Sequence, residues 1–243
     1  MGKLQSIPEL IDLSGKHGIV TGGLKGIGQA ITRRLVECGA KVLIADSDPS
    51  IDDCSDTELM AFQYCDVTNA ADLASAITSA ANDQGIDFIV NNAGMGYTNP
   101  LRETSLTDWQ RVLDLNLTSV FQCVQGVLPY MRKHMKGTIV NISSIAATNV
   151  FSNWGAYSVS KAALLSFSKI LAEEERSKGI RVTTIIPGAV NTPIWDTITV
   201  QEDFERTAML SPDLVAQTIL QVALLPIEAN IEEITILPSS GNF

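Results

Sequence analysis

Positive charge is in short supply: 17 Lys and Arg stand against 27 Asp and Glu, a formal net charge of −10. Nucleic-acid backbones are gripped by clustered cations, so this balance argues against a nucleic-acid partner. The densest basic run, Met131-Arg-Lys-His-Met-Lys136, follows a helical pattern and complements that helix's negative end. Only two histidines are present, and the four cysteines (Cys38, Cys54, Cys65, Cys123) form no CxxC pair, so no metal site of ordinary ligand spacing is expected. Free thiols without a signal peptide point to a cytoplasmic protein. No apolar run approaches the ~18 residues that cross a membrane.

What is abundant is alternation. Short β-branched runs at residues 17–20, 41–45, 61–65, 87–90, 137–142, 181–186 and 234–237 read as strands. Between them, residues 27–38, 70–83, 106–131 and 156–177 carry helical periodicity, with 106–131 broken or bent near Asn116. Apolar strands separated by helices imply a doubly wound α/β domain, a parallel sheet of about seven strands with helices on both faces. No linker, repeat or charge block divides residues 1–243, so one domain is expected. Residues 1–15 read as a surface extension, and 191–211, weakly periodic, as a mobile lid over a site.

The stretch Thr21-Gly22-Gly23-Leu24-Lys25-Gly26-Ile27-Gly28 joins the first strand to the first helix. Glycines at 22 and 26 permit a tight turn and close backbone approach, and Gly28 lets the helix pack against the sheet. Free N–H groups and the helix dipole there favour an anion, which makes this a candidate dinucleotide phosphate site, Ile27 included. The spacing is GxxxGxG rather than GxGxxG. Asp46 ends the second strand, where a carboxylate can accept hydrogen bonds from an adenosine ribose and repel a 2′-phosphate. Lys25 pulls the other way, because its ammonium can reach such a phosphate. The balance favours NAD, with NADP as the alternative.

Tyr157 and Lys161 lie four apart on one helical face. An ammonium beside a phenol lowers the phenol pKa and suits it to general acid/base work. Ser143-Ser144, Asn91-Asn92-Ala93-Gly94 and Pro187-Gly188 follow the fifth, fourth and sixth strands, so polar and glycine residues gather at the carboxyl edge where open α/β sheets bind ligands.

TGGxxGIG, NNAG, Asn116, the Ser144–Tyr157–Lys161 set and PGAVNT together resemble the short-chain dehydrogenase/reductase family, in the right order from about His17 to Thr192. The resemblance implies a Rossmann-type fold of the 3-oxoacyl-reductase-like branch and reversible hydride transfer between a nicotinamide and an alcohol or ketone. It implies Tyr157 as general acid/base, Lys161 as the group that lowers its pKa and holds the nicotinamide ribose, and Ser144 as hydrogen-bond partner of the reacting oxygen. Asn116 would bend its helix and hold a water that links Lys161 to solvent. Asp66 and Val67 would contact adenine, and Asn92, Ala93 and Gly94 would line the cofactor. Pro187, Gly188, Val190 and Thr192 would clamp its nicotinamide end. The same resemblance implies a homotetramer, a dimer of dimers built on helices 106–131 and 156–177. Ala147 departs from the pattern, standing where many relatives carry glycine.

Met95, Ile145, Ala146, Trp154, Ile194 and Trp195 are expected around the reacting atoms. That wall is apolar and offers no cation to a carboxylate, which favours a neutral secondary alcohol, ketone, cyclic compound or polyol. The alternatives are an NADPH-dependent ketone or 3-oxoacyl reductase, and a nucleotide-sensing protein without turnover. An epimerase using bound NAD would call for a longer C-terminal substrate domain.

Overall fold

A computed structural model describes residues 12–81, 85–201, 205–223, 225–226 and 228–241. Seven strands form one parallel sheet: β1 His17–Thr21, β2 Lys41–Asp46, β3 Met60–Tyr64, β4 Phe88–Asn91, β5 Gly137–Ile142, β6 Ile180–Pro187 and β7 Glu233–Ile236. Their order is β3-β2-β1-β4-β5-β6-β7, so the winding reverses between β1 and β4 and opens a crevice at their carboxyl ends. β1, β4 and β5 are buried along their whole length, as strands covered on both faces must be. β7, at the edge, alternates exposed and half-buried residues.

The pleat sends neighbouring residues into two separate cores. Val20, Val42, Ile44 and Val140 meet α1 (Gly26–Glu37) and α6 (Pro212–Ala223) on one face. Ile19, Leu43, Ile89 and Ile139 meet α2 (Ala70–Ala80), α4 (Ser119–Lys133) and α5 (Gly155–Glu175) on the other. α3 (Leu106–Leu113) runs into α4 through a π turn, Asp114–Thr118, so the middle helix is continuous and distorted at Asn116 rather than broken.

Two sequence expectations change. α6 has no counterpart among them, although Val215, Ala216, Ile219 and Leu220 present one buried face at helical spacing. The expected surface extension is partly core: Leu13 is buried against the sheet, and its N–H donates to the Cys38 carbonyl at 2.7 Å. Residues 1–11 lie outside the described residues, as does residue 83, the expected end of α2. Other boundaries shift by a residue or two. Residues 191–201 and 205–211 leave and rejoin the fold at a parallel bridge between Val190 and Leu210. Two short 3₁₀ turns, Pro193–Asp196 and Arg206–Ala208, lie within them.

Candidate active site

A cavity of about 440 Å³ opens at the carboxyl edge of the sheet. At one end is the glycine loop. Gly22 and Gly26 have φ of 65° and 56°, the left-handed region that side chains disfavour. A Cβ on Gly28 would lie 2.1 Å from the Gly22 carbonyl oxygen, so this helix start can follow this turn only with glycine there. Lys25, the N-cap of α1, makes no side-chain cap, and the first turn holds no acid. The opening N–H groups therefore remain available to an anion. Thr21 ties the loop to the next strand end: its hydroxyl accepts the N–H groups of Asn92 and Ala93, each at 3.1 Å. Asn92 in turn donates to the carbonyls of Thr21 and Gly22 at 3.1 and 2.9 Å.

Asp46, just behind the loop, accepts the Leu24 N–H and the Asp48 N–H, both at 3.0 Å. Lys25 pairs with Asp48. Asp66 shapes the turn after β3 by accepting both the N–H and the hydroxyl of Thr68, at 2.9 and 2.7 Å. Val67 beside it is buried.

The other end of the cavity is walled by β5, α5 and the segment after β6. Ser144 caps a short 3₁₀ turn by accepting the Ala146 N–H at 3.2 Å. Its hydroxyl also meets that of Tyr157 in a hydrogen bond. Ser143 points away, with its hydroxyl donating to the Lys161 carbonyl at 3.0 Å. Lys161, one turn below Tyr157, is 5% exposed and donates to the Ile142 carbonyl at 2.9 Å. Burial alone lowers its pKa to about 8. Burial also raises that of Tyr157, against a smaller lowering by the Ser144 hydrogen bond. This reverses the direction expected for the phenol in the protein by itself. The Lys161 ammonium stands 5.8 Å from the ring centroid and is turned towards a carbonyl, so desolvation outweighs its field.

Asn116 is fully buried in the π turn. It accepts the Met95 N–H at 2.8 Å and donates to the Met95 carbonyl at 3.0 Å and the Ser160 hydroxyl at 3.1 Å. Its side chain is thus committed to holding Met95, at the cavity wall, and α5 in place.

Trp154 packs edge-on against both Tyr157 and Trp195, with ring centroids 5.2 and 5.8 Å apart. The Trp195 indole N–H donates to the Val190 carbonyl at 2.8 Å. Ala146 and Ile194 complete this wall, and Pro187, Gly188, Val190 and Thr192 border it from the β6 side. Thr192 closes over the glycine loop, 3.3 Å from where a Cβ on Gly26 would stand.

Of the residues expected at the site, Gly22, Lys25, Gly26, Ile27, Asn92, Ala93, Gly94, Ser144, Tyr157 and Lys161 therefore share one cavity with the aromatic wall. Gly28, Asp46, Asp66, Val67 and Asn116 do not line it. Phe151 and Thr197 line it without having been singled out in the sequence, and Asp48 was missed beside Lys25. The sequence signal for Asp48 was available, an acid two residues past Asp46, but a surface pairing with a residue 23 positions away was not.

Glycine loop, buried lysine and serine-bonded tyrosine around one cleft define the class as a Rossmann-type oxidoreductase. The chain belongs to the short chain dehydrogenase family, whose profile matches residues 16–203. It is 36% identical over 210 residues to L-fucose dehydrogenase of Bos taurus, covering 84% of this chain and 76% of that one. It is 35% identical over 206 residues to the 3-oxoacyl-[acyl-carrier-protein] reductase FabG of Vibrio cholerae, covering 83% of each. Among solved structures, serine dehydrogenase of Escherichia coli superposes with a TM-score of 0.81 at 28% identity, over 93% of this chain and 99% of that one. A closed form of serine dehydrogenase in complex with NADP+ gives 0.82 at 27%, over 93% and 96%.

Proposed function

We propose that the protein transfers a hydride between NAD(H) and an uncharged secondary alcohol or ketone. The observation that carries this reading is the Tyr157 hydroxyl, bonded to Ser144 and one turn from a buried Lys161, in a cavity continuous with the glycine loop. A nicotinamide dinucleotide, when bound, supplies or accepts the hydride. The glycine loop and the uncapped N-terminus of α1 fit its pyrophosphate, and Asp66 with Val67 its adenine. Asn92 to Gly94 and the residues from Pro187 to Thr192 fit the remainder. Tyr157 gives or takes the proton at the substrate oxygen, Ser144 holds that oxygen, and Lys161 supplies the nearby positive charge.

The substrate end explains the preference for a neutral molecule. Among the described residues, the charged ones lining the cavity are Lys25, at the cofactor end, and Lys161, committed to catalysis. Phe151, Trp154, Ile194 and Trp195 present apolar surface, and the Trp195 N–H is already spent on Val190. A carboxylate or phosphate would lose its water there without gaining a partner. A hydrocarbon ring or chain beside the carbinol loses nothing. The second reading, an NADPH-dependent ketone or 3-oxoacyl reductase, draws on Lys25 and on the NADP+ complex of serine dehydrogenase. Titration with NADH and NADPH, read by energy transfer from tryptophan, separates the two.

The test of the chemistry is Tyr157→Phe, which removes one hydroxyl and almost no volume. Cofactor affinity should hold while turnover of a neutral secondary alcohol drops ~10²-fold or more. Full retention of turnover would remove Tyr157 from its role. Assembly is proposed on the face of α4 and α5, where Phe121, Val159 and Ile170 stand exposed.

A further inference from the structure

The adenosine-ribose end of the cleft carries a charge arrangement that neither Asp46 nor Lys25 accounts for alone. Both oxygens of Asp46 accept main-chain N–H groups, one from Leu24 in the glycine loop and one from Asp48. The second bond places Asp48 as N-cap of the 3₁₀ turn Pro49–Asp53, where its Oδ1 accepts the Ser50 N–H at 2.9 Å. Its other oxygen then takes the Lys25 ammonium. Lys25 is the cation on the cofactor side of the cavity, and its side chain is otherwise 61% exposed.

We infer that Asp48 is a cofactor-selecting residue: by holding Lys25 it denies a 2′-phosphate its counter-charge and so enforces choice of NAD(H) over NADP(H). This rests on the dinucleotide reading above. A ribose diol needs only acceptors for its hydroxyls, which Asp46 offers. A phosphate arriving at the same place must draw Lys25 away from Asp48 and then leaves two carboxylates, Asp46 and Asp48, facing a dianion. With Asp48 neutral, Lys25 is free to swing over the loop and a single carboxylate remains. Hydrogen bonding to Lys25 holds the Asp48 carboxyl far below the ordinary carboxylate range, so the pair stays charged at any working pH. It also raises the pKa of Lys25.

The experiment is Asp48→Asn, which keeps an oxygen for the Ser50 N–H and removes the charge. Dissociation constants for NADH and NADPH are measured by tryptophan-to-nicotinamide energy transfer at about 0.15 M salt, where exposed charges are moderately screened. The expected result is an NADPH affinity raised about tenfold or more, with NADH changed about threefold or less. Adding Lys25→Ala to Asp48→Asn should erase most of the gain, since the freed ammonium is its main source and only the loss of the Asp48 charge remains. An unmoved NADPH:NADH ratio in Asp48→Asn overturns the inference, as does a gain that survives removal of Lys25 undiminished. Tighter NADPH than NADH binding in the wild type also overturns it while leaving the oxidoreductase reading intact. Binding of neither cofactor to the wild type sinks both.

Discussion

Lys161 shows how a single residue carries opposed demands. The proposed chemistry wants a cation beside the cofactor, and folding does not want a charge with one carbonyl partner in the interior. The result is a pKa of about 8 against an ordinary 10.5. A depressed folded-state value means that the folded protein resists protonation, so the group favours folding above 10.5 and loses that contribution as pH falls through about 8. The gap amounts to roughly 3 kcal/mol. Replacing Lys161 with Met should therefore stabilise the protein at pH 7, less the lost bond to the Ile142 carbonyl, and the advantage should vanish near pH 10.5. Urea denaturation of both proteins across that range measures it. The buried thiols Cys65 and Cys123, pushed up to about 11 and about 12, disfavour folding as pH rises past their ordinary value of 9.0, but they act equally in both proteins. A stability difference constant with pH would show that Lys161 is not depressed. Tyr157 works at higher pH: its raised value leaves the neutral phenol favoured through the window in which Lys161 titrates.

At the scale of elements, the π turn is what couples sheet to site. One additional residue in the turn rotates Asn116 inward, where its amide holds both main-chain groups of Met95 and reaches the Ser160 hydroxyl on α5. Ser160 passes the tie back to the Tyr157 carbonyl at 2.7 Å. Asn116→Leu keeps the branched heavy-atom shape and leaves both main-chain groups of Met95 and the Ser160 hydroxyl without their amide partner, at a cost of about 2–4 kcal/mol. Equilibrium unfolding gives that number, and a loss under about 0.5 kcal/mol would mean the bonds do not hold the strand end to the helix. The residue was legible in the sequence only as a break in a long apolar pattern; that the break would be a π turn depended on partners 21 and 44 positions away. α6 was missed for a related reason: its apolar face is clear once Val215 and Ile219 are known to be buried, but its start lies against the weakly periodic stretch read as a lid. The strands fared better, because a strand covered on both faces is a local apolar run with turn residues at its end. The positions proposed for catalysis were read from those ends. The substrate wall did not, since Phe151 and Thr197 reach the cavity from loops whose paths only the folded chain decides.

The whole molecule is two half-sheets meeting between β1 and β4, and the cleft straddles the join. The glycine loop, Asp46 and Asp66 come from β1, β2 and β3, whereas Ser144, Tyr157, Lys161 and Thr192 come from β5, α5 and β6. Among the described residues the two sides meet across the cleft in polar contacts between Thr21 and Gly22 on one side and Asn92 and Ala93 on the other, while Thr192 packs its carbons beside Gly26. A ligand that grips both sides at once adds stability by mass action, about 2.7 kcal/mol at a hundred times its dissociation constant. For a chain of this length that is a rise in melting temperature of roughly 5–10 °C. NADH at that excess should produce it in the wild type and equally in Tyr157→Phe, which loses chemistry rather than binding. Adenosine diphosphate lacks the nicotinamide ribose assigned to Lys161 and is expected to reach the glycine loop alone, so it should give a smaller shift at the same multiple of its own dissociation constant only if binding to the unfolded chain or incomplete saturation intervenes. At matched saturation the two shifts should be equal, and the difference between the ligands should appear in the dissociation constants themselves. Differential scanning fluorimetry with both ligands decides the matter. No shift with NADH at millimolar concentration would remove the dinucleotide from this cleft, and equal dissociation constants for the two ligands would confine it to the β1–β3 half.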